Sequence, residues 1–544
     1  MEPLSPTLSA PENVARPTSP ESAADSASPP STAPAGGLAV RLAAVPWPLF
    51  VLLVVQAVLS VRLLRLNAAF VDEATYIYAG HQELNHWIHG WSVPAYATYF
   101  SGAPTIYPPI AAAVDNFGGL VAVRVLSLVF MLWATIILWA TAQRLFGRIA
   151  ACAACAIFIS LGSTQALGSF ATYDAMAFAL LVSAVYCAVR SVDSPEEAPW
   201  WPLCATLLAI ANATKYTTAL WDPFVLVLLM VLVHPRMGFE AALRRAAGVA
   251  ALTASLLALG LALGGTFYVD GITSTTLTRV AGVTSRSLMA HQVWQWIGWV
   301  LVLAALGLLF AALVRKSRQH VALMAVLLLA TLAAPLNQMR IATDTSLQKH
   351  VDFGAWFGCI AAGYLVTSVA RVLPGLLRRT PVRVLTATVL TAVVLALTVS
   401  PGLAQAKGFF HEWPDGQPVA AAMQRYVTPG KDQYLVEDYD VEAYYLQHDA
   451  GWHQWNNTWS FTYYSHDLHK SISGTAAYAD AVKNHYFALI VLSFGDTSTT
   501  DHAIVNAINA CRDTCGYHIV SEIPYSGAAW RGQFEVWQYQ GVRS

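Results

Sequence analysis

Residues 45–80 read VPWPLFVLLVVQAVLSVRLLRLNAAFVDEATYIYAG. The stretch 45–66 is apolar and long enough, at 1.5 Å per helical residue, to cross about 30 Å of hydrocarbon. A helix is required there, because lipid offers no partner to an unpaired backbone group. Arg62 and Arg65 close the run, and the adjacent carboxylates Asp72 and Glu73 follow. An acidic pair so close behind a membrane span places charge at the membrane-water boundary.

Similar runs recur along the chain near 120–142, 149–168, 174–190, 201–218, 220–233, 247–268, 294–313, 321–337, 351–370 and 384–401, so eleven spans are predicted. Composition agrees. Of 544 residues, 56% are apolar and only 12% charged, against about 25% charged in soluble chains, and mean hydropathy is +0.48. A cytosolic enzyme is excluded. The net charge of -1 provides no basic field for nucleic acid.

Ahead of the first span, residues 1–36 are rich in Pro, Ser and Ala and poor in large apolar groups. Such a tail cannot offset the entropy of ordering and is expected to be disordered and cytoplasmic, and no cleavable signal peptide is read in it. With the N-terminus inside, 14 Lys and Arg residues fall in inner loops. Only Arg62, Arg65, Arg279, Arg286, Arg340 and Lys349 fall in outer short loops, which is the positive-inside bias. Few of the basic residues are lysines, as in GC-rich bacterial genomes, and a bacterial plasma membrane is therefore expected. An odd number of spans puts the C-terminus outside.

Residues 37–401 are thus read as the membrane region, with a long first outer loop over 67–119, and 402–544 as a separate unit. There QYLVEDY, FALIVLSF, YHIVSEI and FEVWQYQ have strand character and TDHAIVNAINAC has helical spacing. The expectation is a small extracytoplasmic α/β domain in which Cys511 and Cys515 suit a disulfide. Cys152, Cys155, Cys187, Cys204 and Cys359 lie within spans and read as packing residues.

Ionisable groups gather on the predicted outer face. Adjacent carboxylates repel, so Asp72 and Glu73 suit a proton acceptor or a metal ligand, or simply a solvated helix start. Asp174, in SFATYDAM, heads the fourth span and serves chemistry or caps the helix. Lys215, in ANATKYTTALW, is costly to bury unless it meets an anion or snorkels to the surface. Arg62, Arg65, Arg340, Lys349 and His350 run against the charge bias and would neutralise a lipid-linked phosphate, or else headgroups and local carboxylates such as Asp344 and Asp352. No GxxxxGK[ST], HExxH or GxSxG motif is present. The segment 448–469 clusters four histidines with Trp452, Trp455 and Trp459, in a spacing that matches no closed zinc site.

In order, FVDEATYIYAG, IYPPIAAAVDNFGGLVAVRVLSLVF, LFGRIAACAA, GSFATYDAMAFALL and ANATKYTTAL resemble the C-type (GT-C) membrane glycosyltransferases, nearest the branch of protein O-mannosyltransferases and the lipid A aminoarabinose transferase. SLQKHVDFGAWFGCIAAGYLV is compatible but less distinctive. The resemblance covers residues 45 to about 225 and implies a polytopic α-helical membrane protein of GT-C type. Such enzymes take a sugar from a polyprenyl-phosphate carrier at the outer face and give it to an envelope glycan, lipid or protein acceptor.

Carried over by position, Asp72 matches the base or acceptor-orienting aspartate, with Glu73 beside it. Asp174 matches a second acidic position that in relatives sometimes lies near a divalent cation such as Mg, Mn or Ca, with Glu73 as a further candidate ligand. Lys215 and Arg124 match basic positions that meet the carrier phosphate or brace the first loop. Arg62, Arg65, Arg340, Lys349 and His350 rest on the topology alone. The implied chemistry is direct displacement with inversion. The competing reading is a secondary transporter, against which stand the clustering of ionisable residues at one surface and the lack of half-to-half symmetry.

Overall fold

The computed structural model describes residues 46–192, 200–372, 380–512, 514–527 and 531–541. The tail expected over 1–36, together with Arg41, Arg378 and Arg379 of the predicted inner-loop cations, lies outside the described residues. Among those described, eight helices are long and apolar enough to cross a membrane: Tyr107–Phe146, Tyr173–Arg190, Tyr216–Met237, Phe239–Gly264, Arg286–Arg315, Arg318–Ile341, Leu347–Val372 and Pro381–Phe409. The chain is a multi-pass membrane protein. The other three predicted spans fall on shorter helices, Trp47–Val61, Arg148–Ser160 and Trp200–Thr214. The run predicted over 149–168 is divided at Leu161, whose extended backbone separates Arg148–Ser160 from Gly162–Leu167.

Helix Leu347–Val372 is the axis of the bundle, with nearly every side chain buried. It packs on Arg148–Ser160, Arg286–Phe310 and Arg318–Ile341. Gly363 makes one of these contacts close, since a Cβ there would stand 2.4 Å from the carbonyl oxygen of Ala150. Small residues allow such approaches where no hydrophobic force drives helices together.

The predicted first loop is largely helical. Helix Val71–His89 ends at Gly90 in the left-handed conformation, φ 71°. The YPP sequence starts the next helix at Tyr107, with proline in the first turn, where a missing N–H costs nothing. That helix bends at Gly118 and Gly119 before entering the predicted span. Gly80 seats the loop helix, because a Cβ on it would lie 1.9 Å from the carbonyl oxygen of Pro108.

The last apolar helix continues past its predicted end at 401 to Phe409. A five-stranded sheet follows in the order β2-β1-β5-β7-β6, built from Gln433–Val436 (β1), Trp455–Asn456 (β2), Phe487–Leu492 (β5), Tyr517–Ser526 (β6) and Arg531–Tyr539 (β7). β1 is parallel to β2 and β5, and β7 is antiparallel to β5 and β6. Strands Thr462–Ser465 (β3) and Lys470–Ser473 (β4) form a separate hairpin. Helix Ser498–Ala510 follows β5, and Cys511 is disulfide-bonded to Cys515 at a Cα separation of 5.4 Å.

The sheet shares one hydrophobic core with the first loop. Tyr76, Ile77 and Tyr78 of the loop helix are buried together with Val419, Tyr434, Tyr444 and Val491. Polar contacts reinforce the join. Asn67 Nδ2 donates to the carbonyls of Phe410 and Trp413, the Ala69 amide donates to Tyr445 Oη, and Tyr444 Oη donates to Asp115.

Gly80→Val is expected to lower stability by about 3 kcal/mol or more, since the clash is with backbone and cannot relax by rotamer change. Gly260→Ala, where nothing stands within 4 Å, should stay within about 1 kcal/mol of wild type. Thermal unfolding of the two variants in detergent checks the contrast.

Candidate functional site

Four chain segments bring charge to one end of the bundle, and three of them are helix starts. Asp72 lies in the first turn of Val71–His89, Asp174 in the first turn of Tyr173–Arg190, and Lys349 and His350 in the first turn of Leu347–Val372. Lys215 occupies the break between Trp200–Thr214 and the 3-10 turn Tyr216–Trp221. Carboxylates in first turns gain from the unpaired amides and the positive end of the helix dipole.

Lys349 connects the group. Its Nζ lies 2.7 Å from Asp72 Oδ2 and 4.0 Å from Asp174 Oδ2. Lys215 Nζ pairs with Asp174 Oδ1, and Thr172 Oγ1 donates to Asp174 Oδ2 at 2.9 Å. Aromatic faces complete the surroundings, with Lys349 over Phe170 and Lys215 over Tyr173. Asp174, Lys215 and Lys349 are buried, whereas the Asp72 side chain keeps 31% of its exposure. Asp72 is therefore the carboxylate of this cluster that a substrate can reach. The opposite end of the Asp174 helix is cationic: Arg236 and Arg245 donate to the carbonyls of Val192 and Ser191.

His350 adds a donor. Gln338 Nε2 lies 3.0 Å from His350 Nδ1, and when it donates there the neutral ring carries its hydrogen on Nε2. Nε2 is buried without a partner among the described residues. Asp174, Lys215, Lys349 and Arg279 are all near enough for their charges to act on this ring.

Several sequence expectations need correction. Glu73 turns away from Asp72, since successive helical residues point about 100° apart. Its buried carboxylate accepts from Arg124 Nε (2.8 Å), Arg124 Nη2 (2.6 Å), the Ala171 amide (2.7 Å) and the Phe70 amide (3.0 Å). No lone pair remains for a metal or a substrate. Arg124, expected at the donor phosphate, spends its five N–H donors on Glu73 and on the carbonyls of Leu64, Asn67 and Ala68. Of its two expected roles, the contacts are those of a brace for the first loop.

Arg62 donates to Gln165 Oε1 at 2.8 Å and to the Leu59 carbonyl, away from the cluster. Arg65 is exposed, and exposed Arg340 bonds Asn337. None of these three arginines is brought to Asp72 and Asp174. The local carboxylates offered as their partners are otherwise engaged: Asp352 accepts from Ser163 and Thr164, and Asp344 from Thr284 and Gln292.

The carboxylates expected to ligate a metal are paired with cations. Asp174 faces two ammonium groups and Glu73 a guanidinium. Among the described residues no group of three His, Cys, Asp or Glu could hold one, and that includes the histidines of 448–469.

Sequence reasoning missed the tyrosine pair Tyr76 and Tyr173, whose hydroxyls meet at 2.7 Å. Tyr76 lies four residues after Asp72, on the same helical face, a spacing that could have flagged it. It also missed Asp440, whose carboxyl is hydrogen-bonded to Thr75 and is pushed up to about 8 by burial, by repulsion from and hydrogen bonding to Asp438, and more weakly by Asp72.

Comparison with known proteins now bears on the fold. Residues 110–241 match the sequence profile of the family described as dolichyl-phosphate-mannose-protein mannosyltransferase. The structure is similar to that of ArnT from Cupriavidus metallidurans bound to undecaprenyl phosphate, with 15% identity, a TM-score of 0.59 and coverage of 90% of this chain and 97% of that one. It is also similar to the archaeal oligosaccharyltransferase AglB from Archaeoglobus fulgidus in complex with an inhibitory peptide and a dolichol-phosphate. There identity is 11%, TM-score 0.55 and coverage 90% and 74%. The arabinofuranosyltransferase AftD from Mycobacteria matches with 14% identity, a TM-score of 0.51 and coverage of 91% and 41%. The fold is that of the GT-C membrane glycosyltransferases. No curated protein sequence matches the chain. Within this GT-C fold the loop helix carrying Asp72 is held at the end of the bundle where Asp174, Lys215, Lys349 and His350 converge.

Removing one partner of the Glu73–Arg124 pair leaves an uncompensated buried charge. Arg124→Leu is expected to cost about 3–5 kcal/mol, and the double variant Glu73→Leu, Arg124→Leu less than Arg124→Leu alone, as measured by thermal unfolding in detergent.

Buried Glu442, with its pKa pushed up to about 8, gives a pH signature. It keeps a proton that the unfolded chain releases near 4.5, so its stabilising contribution is complete below that pH and is lost as pH rises through about 8. The fall in unfolding temperature between pH 6 and pH 9 should shrink in Glu442→Gln.

Proposed function

We propose that this protein transfers a sugar from a polyprenyl-phosphate carrier to an acceptor at the extracytoplasmic face of a bacterial plasma membrane, with inversion at the sugar carbon. The observation that carries this reading is Lys349 held between Asp72 and Asp174, with Lys215 behind Asp174, at one end of an apolar bundle. The ArnT and AglB relatives were each solved with a polyprenyl-type phosphate, which supports a donor of that class here.

The carrier phosphate is singly charged as a diester and gains a second negative charge when the sugar leaves. Stabilising that charge requires preorganised donors in a dry site. Lys215, Lys349 and the free Nε2–H of His350 supply them. Lys349 also couples the two half-reactions. As it turns to the phosphate, its bond to Asp72 weakens, and Asp72 is free to take the acceptor hydroxyl proton. The acceptor oxygen then bonds to the sugar carbon while the carbon-oxygen bond to phosphate breaks, releasing polyprenyl phosphate. No step requires a divalent cation.

The cationic turns at Arg190, Arg236 and Arg245, and the disulfide between Cys511 and Cys515, support the orientation with the cluster and the sheet outside. A transporter would need ionisable groups accessible from both ends in turn, and those of this cluster sit at one.

Asp72→Asn should lower the rate of sugar transfer by about 10²- to 10⁴-fold while the protein inserts and unfolds as wild type. The measurement is transfer from a radiolabelled polyprenyl-phosphate sugar in reconstituted membranes. Full activity in this variant would remove Asp72 from the chemistry. In the same assay, exhaustive chelation should leave the wild-type rate unchanged, and a loss restored by added Mg, Mn or Ca would reinstate the metal.

A further inference from the structure

A cavity of about 320 Å³ opens between the start of the loop helix and the sheet. Ala69, Phe70 and Val71, the residues that precede Asp72 in the chain, form one wall. The opposite wall comes from the C-terminal ends of the parallel strands β1 and β5 and the segments that leave them. Its charge is one-sided. Glu412, Glu437, Asp438, Glu442 and Asp496 line it, and no Lys, Arg or His does. Glu437 is consumed locally, accepting from the Gly495 and Thr497 amides and from Ser493.

Glu442 is different. It is 4% exposed and faces the cavity, and its Oε2 is buried with no hydrogen-bond partner among the described residues. A buried carboxyl oxygen left unpaired costs free energy that a ligand hydroxyl would return. Trp459, 59% exposed, and Tyr525 present aromatic surface to the same space.

We infer that this cavity is the acceptor subsite and that it takes an uncharged sugar at the end of a glycan. Paired hydroxyls match carboxyl oxygens, and the C–H faces of a pyranose or furanose match aromatic rings. A phosphorylated acceptor would meet four or five carboxyl groups and no cation, which repels it. Burial keeps Glu442 protonated near neutral pH, so that group donates as well as accepts without adding charge. Phe70 and Glu412 also line a second cavity of about 820 Å³, which opens beside Trp294, Trp296 and Trp299 of the membrane helix Arg286–Phe310. The two spaces thus share Phe70, two residues before Asp72, and Glu412 in their walls.

This inference rests on the transfer reading, and a binding assay without donor separates the two. The full-length protein in nanodiscs is titrated with mannohexaose and arabinohexaose, with phosphorylated mannohexaose, and with the cationic glucosamine hexamer, followed by saturation-transfer NMR and tryptophan fluorescence. A neutral hexasaccharide should bind. Its affinity should fall about tenfold in Trp459→Ala, whose exposed side chain can be removed without unfolding, and in Glu442→Leu. Asp72→Asn, deficient in transfer, should bind as wild type. The subsite is overturned if neither neutral sugar binds, if only the phosphorylated or cationic probe binds, or if Trp459→Ala binds as wild type. Binding by a wild-type protein that consumes no polyprenyl-phosphate sugar would instead overturn the transfer reading and leave the cavity as a neutral-sugar site.

Discussion

The guanidinium of Arg124 is the group on which the site's geometry depends. It is fully buried, and it draws the Glu73 carboxylate and three carbonyls, from Leu64, Asn67 and Ala68, onto one planar fork. A chain leaving a membrane helix has no reason of its own to reverse and start a new helix within ten residues. Here Arg124 donates to three carbonyls of the reversal, and Glu73 caps the new helix through the Phe70 amide. The Ala171 amide closes on the same carboxylate, which ties the loop to the segment that presents Asp174. Asp72 and Asp174 therefore share one scaffold although they are a hundred residues apart.

The pairing also explains why two adjacent carboxylates do different work. Glu73 is neutralised inside the protein by a charge that cannot be titrated away. Asp72, one position earlier, leans outward to a lysine that can be shared with Asp174 or with an arriving anion. Repulsion between neighbouring carboxylates, the concern raised by the bare sequence, is relieved by geometry, each carboxylate facing its own cation.

What the sequence disclosed follows from how each signal is encoded. Hydropathy located the helices because burial in lipid needs long apolar runs, and loop charge predicted that Asp72, Asp174, Lys215 and Lys349 share one end, where the structure brings them together. Partner choice was not encoded locally. Arg124 and Glu73 are separated by a whole loop, and nothing in AVR or DE says that they meet. Arg62, Arg65 and Arg340 carry the same outer-face signature as Lys349, yet their contacts lie elsewhere, since charge bias reports a membrane side and not a direction around the bundle. The clamp of the sheet on the loop was hidden for a similar reason, because Asn67, Asp115, Tyr444 and Tyr445 look like ordinary surface residues until the fold joins them.

That clamp changes what the region after the last helix is for. A binding module tethered by a linker would search for its partner and lose orientation entropy at every turnover. Here Tyr76, Ile77 and Tyr78 are buried in a core shared with Val419, Tyr434 and Val491, so the loop helix cannot move without disturbing the sheet. The ordering cost is met once, at folding. The helix that carries Asp72 is thereby held against the sheet by the same packing that stabilises the domain. For a reaction whose leaving group is already good once neutralised, placing the acceptor oxygen is the larger part of the barrier an enzyme can remove. The shared core is the element of this fold suited to that task.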